Sequence, residues 1–290
     1  VNTTGGSNAA TGSYALRKNT TGSENVAIGK DALGKNTTGS SNTASGNNAL
    51  NSNTTGVNNT ASGYYALYSN TTGGSNVASG YLALYNNTTG LYNVAIGSSS
   101  LKTNSTGHWN VGIGWQALES STVSYNIGIG YQAGDAVTTG AENVLIGKSA
   151  GGVMTTGESN VCIGKEAGDN ITTGSFNIVI GENATASSAT VSNELTLGDA
   201  GITSLRIPGL QSGASNGDVL TYDSSNNKIT LEPGGGATGG GTDKVFHTNG
   251  QTVNTDFTLT GTLNAMSAGP IAVASGVTIT VSSGATWTVV

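Results

Sequence analysis

Asn19-Thr20-Thr21-Gly22-Ser23-Glu24-Asn25-Val26-Ala27-Ile28-Gly29-Lys30-Asp31-Ala32-Leu33 is the clearest copy of a unit that recurs along most of this chain. The second Asn of the unit returns at Asn8, Asn25, Asn42, Asn59, Asn76, Asn93, Asn110, Asn126, Asn143, Asn160 and Asn177. Each step is 17 residues, apart from one step of 16 between Asn110 and Asn126. A Gly stands four places after each of these Asn residues, from Gly12 to Gly181. Self-similarity this regular means one supersecondary unit stacked on copies of itself, a solenoid.

The residues of the unit select the kind of solenoid. Asn-Val-Ala-Ile-Gly is short, β-branched and alternating, as a strand requires. Asn-Thr-Thr-Gly is turn material, because Gly takes positive φ and Asn hydrogen-bonds its own backbone. A second short apolar segment, such as Ala32-Leu33 or Ala66-Leu67, lies between the two. No apolar 3.6-residue period lasts long enough for a helix, and Gly comes too often. The chain therefore reads as all-β, each unit forming one coil of a parallel β-solenoid. Eleven coils at the ~4.8 Å strand spacing make a rod about 50 Å long.

Variation between copies orients the strand. The residue two places after the framework Asn is Ala10, Ala27, Ala44, Ala61, Ala78, Ala95, Gly112, Gly128, Leu145, Cys162 or Val179, never a polar one. Its neighbours are Val26 and Ile28 in one coil but Thr43 and Ser45 in another. The always-apolar position points into a narrow interior, and the Val/Ile positions face outward. The framework Asn residues stack into a side-chain amide ladder. So thin a solenoid buries surface only against its own neighbouring coils. A homotrimer with its axis parallel to the solenoid supplies the missing burial, each exposed aliphatic side chain forgoing roughly 1.5–3 kcal/mol. At the 16-residue step Ser120-Ser121-Thr122-Val123-Ser124 replaces the usual turn and splits the array. Copies before it end the second segment in Ala-Leu; later ones carry Ala133-Gly134, Ala150-Gly151 and Ala167-Gly168.

Composition narrows the function. Of 290 residues only 9% are charged, the net charge is −6, and no basic run exists, which excludes nucleic-acid binding. No apolar stretch approaches the ~20 residues of a membrane helix, so no membrane insertion is expected. The chain begins at Val1 inside a repeat and without a signal peptide, as the C-terminal part of a longer or processed protein would. With ten Lys and Arg in all, protease sites are few, which suits an extracellular protein. The one cysteine, Cys162, stands in the slot of Ala27, Ala95 and Val179 and reads as a packing residue. His108 and His247 lie far apart, with His108 in a variable turn slot, and no metal-ligand spacing occurs, so neither metal nor cofactor is expected. Glu142, Glu158, Glu166 and Asp169 fall in turn slots as a solvated edge, not as the paired carboxylates of a glycan-cleaving enzyme. No catalytic activity is expected. The Asn-Thr-Thr triplets at Asn19, Asn36, Asn53, Asn70 and Asn87 fit the glycosylation pattern, but the coil's own turn explains their period. A regular threonine face for ice is disfavoured, since adjacent Thr residues alternate in direction.

Aromatic residues form two stripes. Tyr64, Tyr81, Trp115 and Tyr131 follow the repeat Gly, while Tyr92, Trp109, Tyr125 and Phe176 precede the framework Asn. Contact between coils or chains is the first reading. Receptor contact is the second, with Tyr64, Tyr81, Trp109, Trp115, Tyr125 and Tyr131 as the candidate residues for stacking on sugar rings.

The repeat, spanning 1–181, then gives way to three smaller segments. Residues 182–233 read as a β-rich connector, irregular but for short strands near 194–198 and 204–208. It ends in a β-hairpin, 218–222 against 228–232. Residues 234–243 are a Gly-rich linker. Residues 244–290 form a C-terminal β module with strands at 272–274, 277–281 and 286–290, too small to fold without partners.

Asn25-Val26-Ala27-Ile28-Gly29, repeated as Asn93-Val94-Ala95-Ile96-Gly97, resembles the head repeats of trimeric autotransporter adhesins, the YadA-like head. That resemblance implies a left-handed parallel β-roll with three chains side by side. The 17-residue Asn-Thr-Thr-Gly arrays also resemble those in tail fibres of tailed bacteriophages, especially marine and cyanobacterial ones. Asn264-Ala265-Met266-Ser267-Ala268-Gly269-Pro270, followed by the strand of Trp287, is similar to C-terminal modules of phage fibre proteins. The long heptad stalk and four-strand membrane anchor of an adhesin are missing from this sequence. The resemblance therefore implies a virion tail fibre that binds a host cell-surface glycan or protein receptor. A bacterial cell-surface adhesin or extracellular filament subunit is the alternative.

Overall fold

Three residues per coil build the main sheet. The computed structural model describes residues 2–202, 219–223, 228–232, 252–253, 257–259, 264–267 and 272–289. Contacts divide the chain into two units, Val1–Thr203 and Ser204–Val290. In the first, twelve strands pair in parallel and in strict chain order. They are β1 (Ala9–Thr11), β2 (Val26–Ile28), β3 (Thr43–Ser45), β4 (Thr60–Ser62), β5 (Val77–Ser79) and β6 (Val94–Ile96). The series continues with β7 (Val111–Ile113), β8 (Ile127–Ile129), β9 (Val144–Ile146), β10 (Val161–Ile163), β11 (Ile178–Ile180) and β12 (Leu195–Leu197). Equivalent residues sit in register, Ala27 on Ala44 and Val94 on Val111. Gly112 pairs with Gly128 across the 16-residue step, so the turn absorbs the missing residue. The chain is an all-β parallel solenoid with a coil of about 17 residues.

The solenoid has about eleven turns, as expected, and a twelfth strand lies beyond Gly181. Glu194 lies 17 residues after Asn177 and takes the Asn slot, its backbone N–H donating to Asn177 Oδ1 at 2.9 Å. β12 follows within the short strand expected near 194–198 and pairs with β11, so that strand is a further rung of the array. Hydrogen bonds donated by Ser187 and then Thr196 hold the Glu194 carboxyl below the usual carboxylate range. The second apolar segment is a turn in which Leu33, Leu50, Leu67, Leu84, Leu101 and Leu118 all take φ of 48–52°. Left-handed backbone at a bulky residue costs about 1–2 kcal/mol. Here it is held by a backbone bond to the next coil, such as Leu33 N–H to Ala49 O at 3.0 Å, and by complete burial of the side chain, worth roughly 1.5–3 kcal/mol.

The interior holds two amide ladders. In the framework ladder, Asn76 Nδ2 donates to Asn59 Oδ1 at 3.1 Å and to Gly90 O at 2.8 Å. Its own Oδ1 accepts the backbone N–H and the Nδ2 of Asn93. The second ladder runs through Asn19, Asn36, Asn53, Asn70, Asn87 and Asn104, each Nδ2 donating to the Asn one coil earlier and to the Gly three places on. All but Asn104 belong to the Asn-Thr-Thr triplets that read as turns from sequence; all six are buried. The ladder ends where Ser121 takes the Asn slot. Asn104 Oδ1 is left there as a buried acceptor with no donor.

Beyond that step the interior is refilled rather than continued. Gly134, Gly151 and Gly168, at φ of 58–65°, replace the left-handed Leu. Buried Val137, Met154 and Ile171 replace the ladder Asn, and Leu145, Cys162 and Val179 replace the strand-centre Ala. The exchange is one of shape, since a Cβ at Gly134 would stand 2.5 Å from Leu145 Cδ1. The repeat Gly serves a different need. At Gly29 φ is +124°, and a Cβ would meet Gly46 O at 2.6 Å, so no other residue fits between coils.

In the second unit β13 (Val219–Asp223) and β14 (Lys228–Glu232) pair antiparallel, as the hairpin reading expects. Three further pairs are parallel: β15 (Thr252–Val253) with β18 (Ala272–Val273), β16 (Phe257–Leu259) with β19 (Ile279–Val281), and β17 (Asn264–Ser267) with β20 (Thr286–Val289). The C-terminal block thus lays three successive strands on the three before them. The expected strand at 204–208 and the Gly-rich linker at 234–243 lie outside the described residues.

Candidate interaction face

From β2 to β11 each strand turns its central residue inward and its two flanking residues outward. Ala27, Ala44, Ala61, Ala78, Ala95, Leu145, Cys162 and Val179 are fully buried. Burial pushes the Cys162 thiol up to about 12, which leaves it an inert packing group. The outward residues change character along the solenoid. In β3 and β4 they are Thr and Ser. From β6 through β12 every one is Val, Ile or Leu. Ile96 is 42% exposed and Leu195 62% exposed. The result is a continuous aliphatic band on the open face of the sheet, seven strands long or roughly 30 Å.

Aromatic stripes run along the two ends of the strands, over β6 to β8 at the leading end and over β4, β5, β7 and β8 at the trailing end. At the leading end, Trp109 stacks on Tyr92 at 5.7 Å and on Tyr125 at 5.1 Å, with the rings within 11° of parallel. At the trailing end, Trp115 stacks on Tyr131 at 4.8 Å and Tyr64 on Tyr81 at 5.7 Å. The coil of Ser98 separates Tyr81 from Trp115, so the trailing stripe is two pairs and not one stack. Each of these rings remains about half exposed. Stacking between coils occupies both faces of Trp109 and one face of its neighbours, leaving edges and outer faces open. Tyr65, Tyr68 and Tyr85, which the sequence reading passes over, complete a five-tyrosine cluster with Tyr64 and Tyr81. Desolvation, and then a hydrogen bond with Tyr65, push the Tyr64 phenol up.

The polar candidates hold structural positions. His108 is half-buried, its Nδ1 accepting the Leu91 N–H at 3.0 Å. Ser40 Oγ does the same for the Ser23 N–H, so the imidazole stands in for a hydroxyl. Lys165 pairs with Glu182 at 3.0 Å and Lys102 with Glu119 at 3.1 Å, partly exposed bridges worth little to stability. Desolvation and then neighbouring carboxylates raise both Asp135 and Asp169. Among the described residues no group of His, Cys, Asp and Glu gathers in a way that could hold a metal ion. Family models, curated proteins and solved structures give no match to this chain.

Proposed function

We propose that this chain is a structural and adhesive fibre protein, part of a phage tail fibre that mediates attachment to the host surface. Copies associate side by side as a homotrimer whose axis runs along the solenoid. The observation that carries the reading is the aliphatic band over β6 to β12. A half-exposed Val or Ile gives up part of roughly 1.5–3 kcal/mol, and a contiguous band of this size is unusual on a monomer. The interior cannot take these side chains, because the coil is already filled by its ladders and by Ala or Leu. The open edges of Tyr64 and Tyr81, at the trailing ends of β4 and β5, suit contact with a receptor glycan. The phage assignment rests on the likeness of the repeats and of the C-terminal block to tail fibres.

The test is direct. Light scattering on the purified chain should give three times 28.7 kDa. Gold-labelled antibody against the chain should decorate the tail fibres of a phage particle in electron micrographs. Labelling of bacterial cell surfaces instead would replace the tail-fibre reading with the adhesin one.

A further inference from the structure

Twelve strands give the outward face twelve rows, and four of these rows carry related residues at their two ends. The leading position precedes the framework Asn, and the trailing position follows the repeat Gly. Rows β7 and β8 carry an aromatic at both ends, Trp109 and Trp115 in one, Tyr125 and Tyr131 in the other. Rows β2 and β9 carry an acid at the leading end and a lysine at the trailing end, Glu24 with Lys30 and Glu142 with Lys148. Neither end of row β9 is tied up in a buried pair. Lys148 reaches Glu166 at 3.7 Å with both side chains well exposed, and Glu142 Oε2 accepts the Ser159 hydroxyl at 3.3 Å on the surface.

We infer that neighbouring copies meet trailing end against leading end within the same row, so that Trp115 and Tyr131 of one copy contact Trp109 and Tyr125 of the next, and Lys148 pairs with Glu142. The inference rests on the side-by-side association proposed above and specifies its contacts. Rotation about an axis parallel to the solenoid carries every row onto itself and brings a trailing end to a leading end. All four rows are then complementary, aromatic on aromatic and lysine on glutamate. Packing with the copies reversed brings leading ends together instead. With β9 over β9, Glu142 faces Glu142 and Lys148 faces Lys148. With β9 over β2, Glu142 faces Glu24, and the aliphatic rows β7 and β8 lie on the Thr and Ser of β4 and β3. Every reversed register that lays one charged row on another opposes like charges.

Paired cysteines in the full chain test this. Glu142→Cys with Lys148→Cys should give interchain disulfides on mild oxidation, seen as a covalent trimer on a non-reducing gel. Glu24→Cys with Lys148→Cys is the mismatched control. Its positions are seven rows apart, about 34 Å, and should give no cross-link in matched rows. Cys162 is fully buried and silent. Circular dichroism matching the parent checks that each variant is folded. Cross-linking by the mismatched pair, by Glu142→Cys alone, or by no pair in a chain that light scattering shows to be associated overturns the row matching and leaves the association standing. A folded monomer of the unmutated chain overturns both.

Discussion

Replacing Asn76 by Ala removes one rung of the framework ladder at mid-solenoid. Asn76 makes four side-chain hydrogen bonds, to Asn59 Oδ1 and Gly90 O as donor and from Asn93 N and Asn93 Nδ2 as acceptor. Three of those partners keep another bond: Asn59 Oδ1 from Asn76 N, Gly90 O from Asn87 Nδ2, and Asn93 Nδ2 to Gly107 O. The Asn93 backbone N–H keeps none that the structure records. One orphaned buried donor costs about 1–3 kcal/mol, and the three remaining bonds about 1 kcal/mol each, so the expected loss is about 4–6 kcal/mol. Because coils couple only to their neighbours, the weakened junction should also split the cooperative transition. Urea denaturation followed by far-ultraviolet circular dichroism at fixed protein concentration measures both effects. Thr72→Ala, at an exposed site in the same coil, is the control and should stay within about 0.5 kcal/mol. Asn76→Asp keeps the acceptor for Asn93 N–H but loses the donors and buries a charge, so it should do no better than Ala. A loss below about 1 kcal/mol for Asn76→Ala, in a single unbroken transition, would refute the idea that the ladder holds the coils together.

Three further outcomes follow from other places in the solenoid. Ser121→Asn supplies a donor to the orphaned Asn104 Oδ1 and should raise stability by about 1 kcal/mol in the same urea assay. Gly151→Ala should destabilise, because its φ is +58° and the new Cβ would lie 2.8 Å from Leu145 Cδ2. Combined with Leu145→Ala, the losses should sum to less than the two singles, and strict additivity would deny the contact. Asp135 has a raised folded pKa, from desolvation first. Its contribution to stability is therefore present below the ordinary value of 3.8 and lost as pH rises through the raised one. Asp135→Asn should then raise the melting temperature at neutral pH, with the gain vanishing in acid; a gain equal at both pH values would contradict the assignment.

Much of the fold is legible in the sequence because a strict period translates directly into register. The always-apolar position, Ala27 in one coil and Leu145 in another, identifies the interior without any structure. Glu194 hides the twelfth rung because the marker residue changed while the spacing did not. What that slot requires is a backbone N–H for the preceding ladder oxygen, and any residue but Pro supplies one. The second ladder is concealed by composition, since Asn-Thr-Thr-Gly reads as an exposed turn. Its later occupants, Val137, Met154 and Ile171, carry the signal, because a slot that exchanges Asn for Ile is an inner slot. The left-handed Leu residues are betrayed only by their replacement with Gly134, Gly151 and Gly168. The aromatic stripes are visible as spacing, but which ring faces remain open depends on stacking distances that sequence does not encode. Tyr68 and Tyr85 share a slot 17 residues apart and could have been found by the same rule.

Association through the outward band is the central claim, and the mass of a face-disrupting variant tests it most directly. Val144→Asp with Ile146→Asp places two charges in the middle of the band, at positions that point away from the coil interior. Light scattering on parent and variant, with circular dichroism on both, is the measurement. The parent should be a trimer and the variant a monomer whose β-sheet signal is retained. A parent that is already a folded monomer, or a variant that remains a trimer, would contradict the claim.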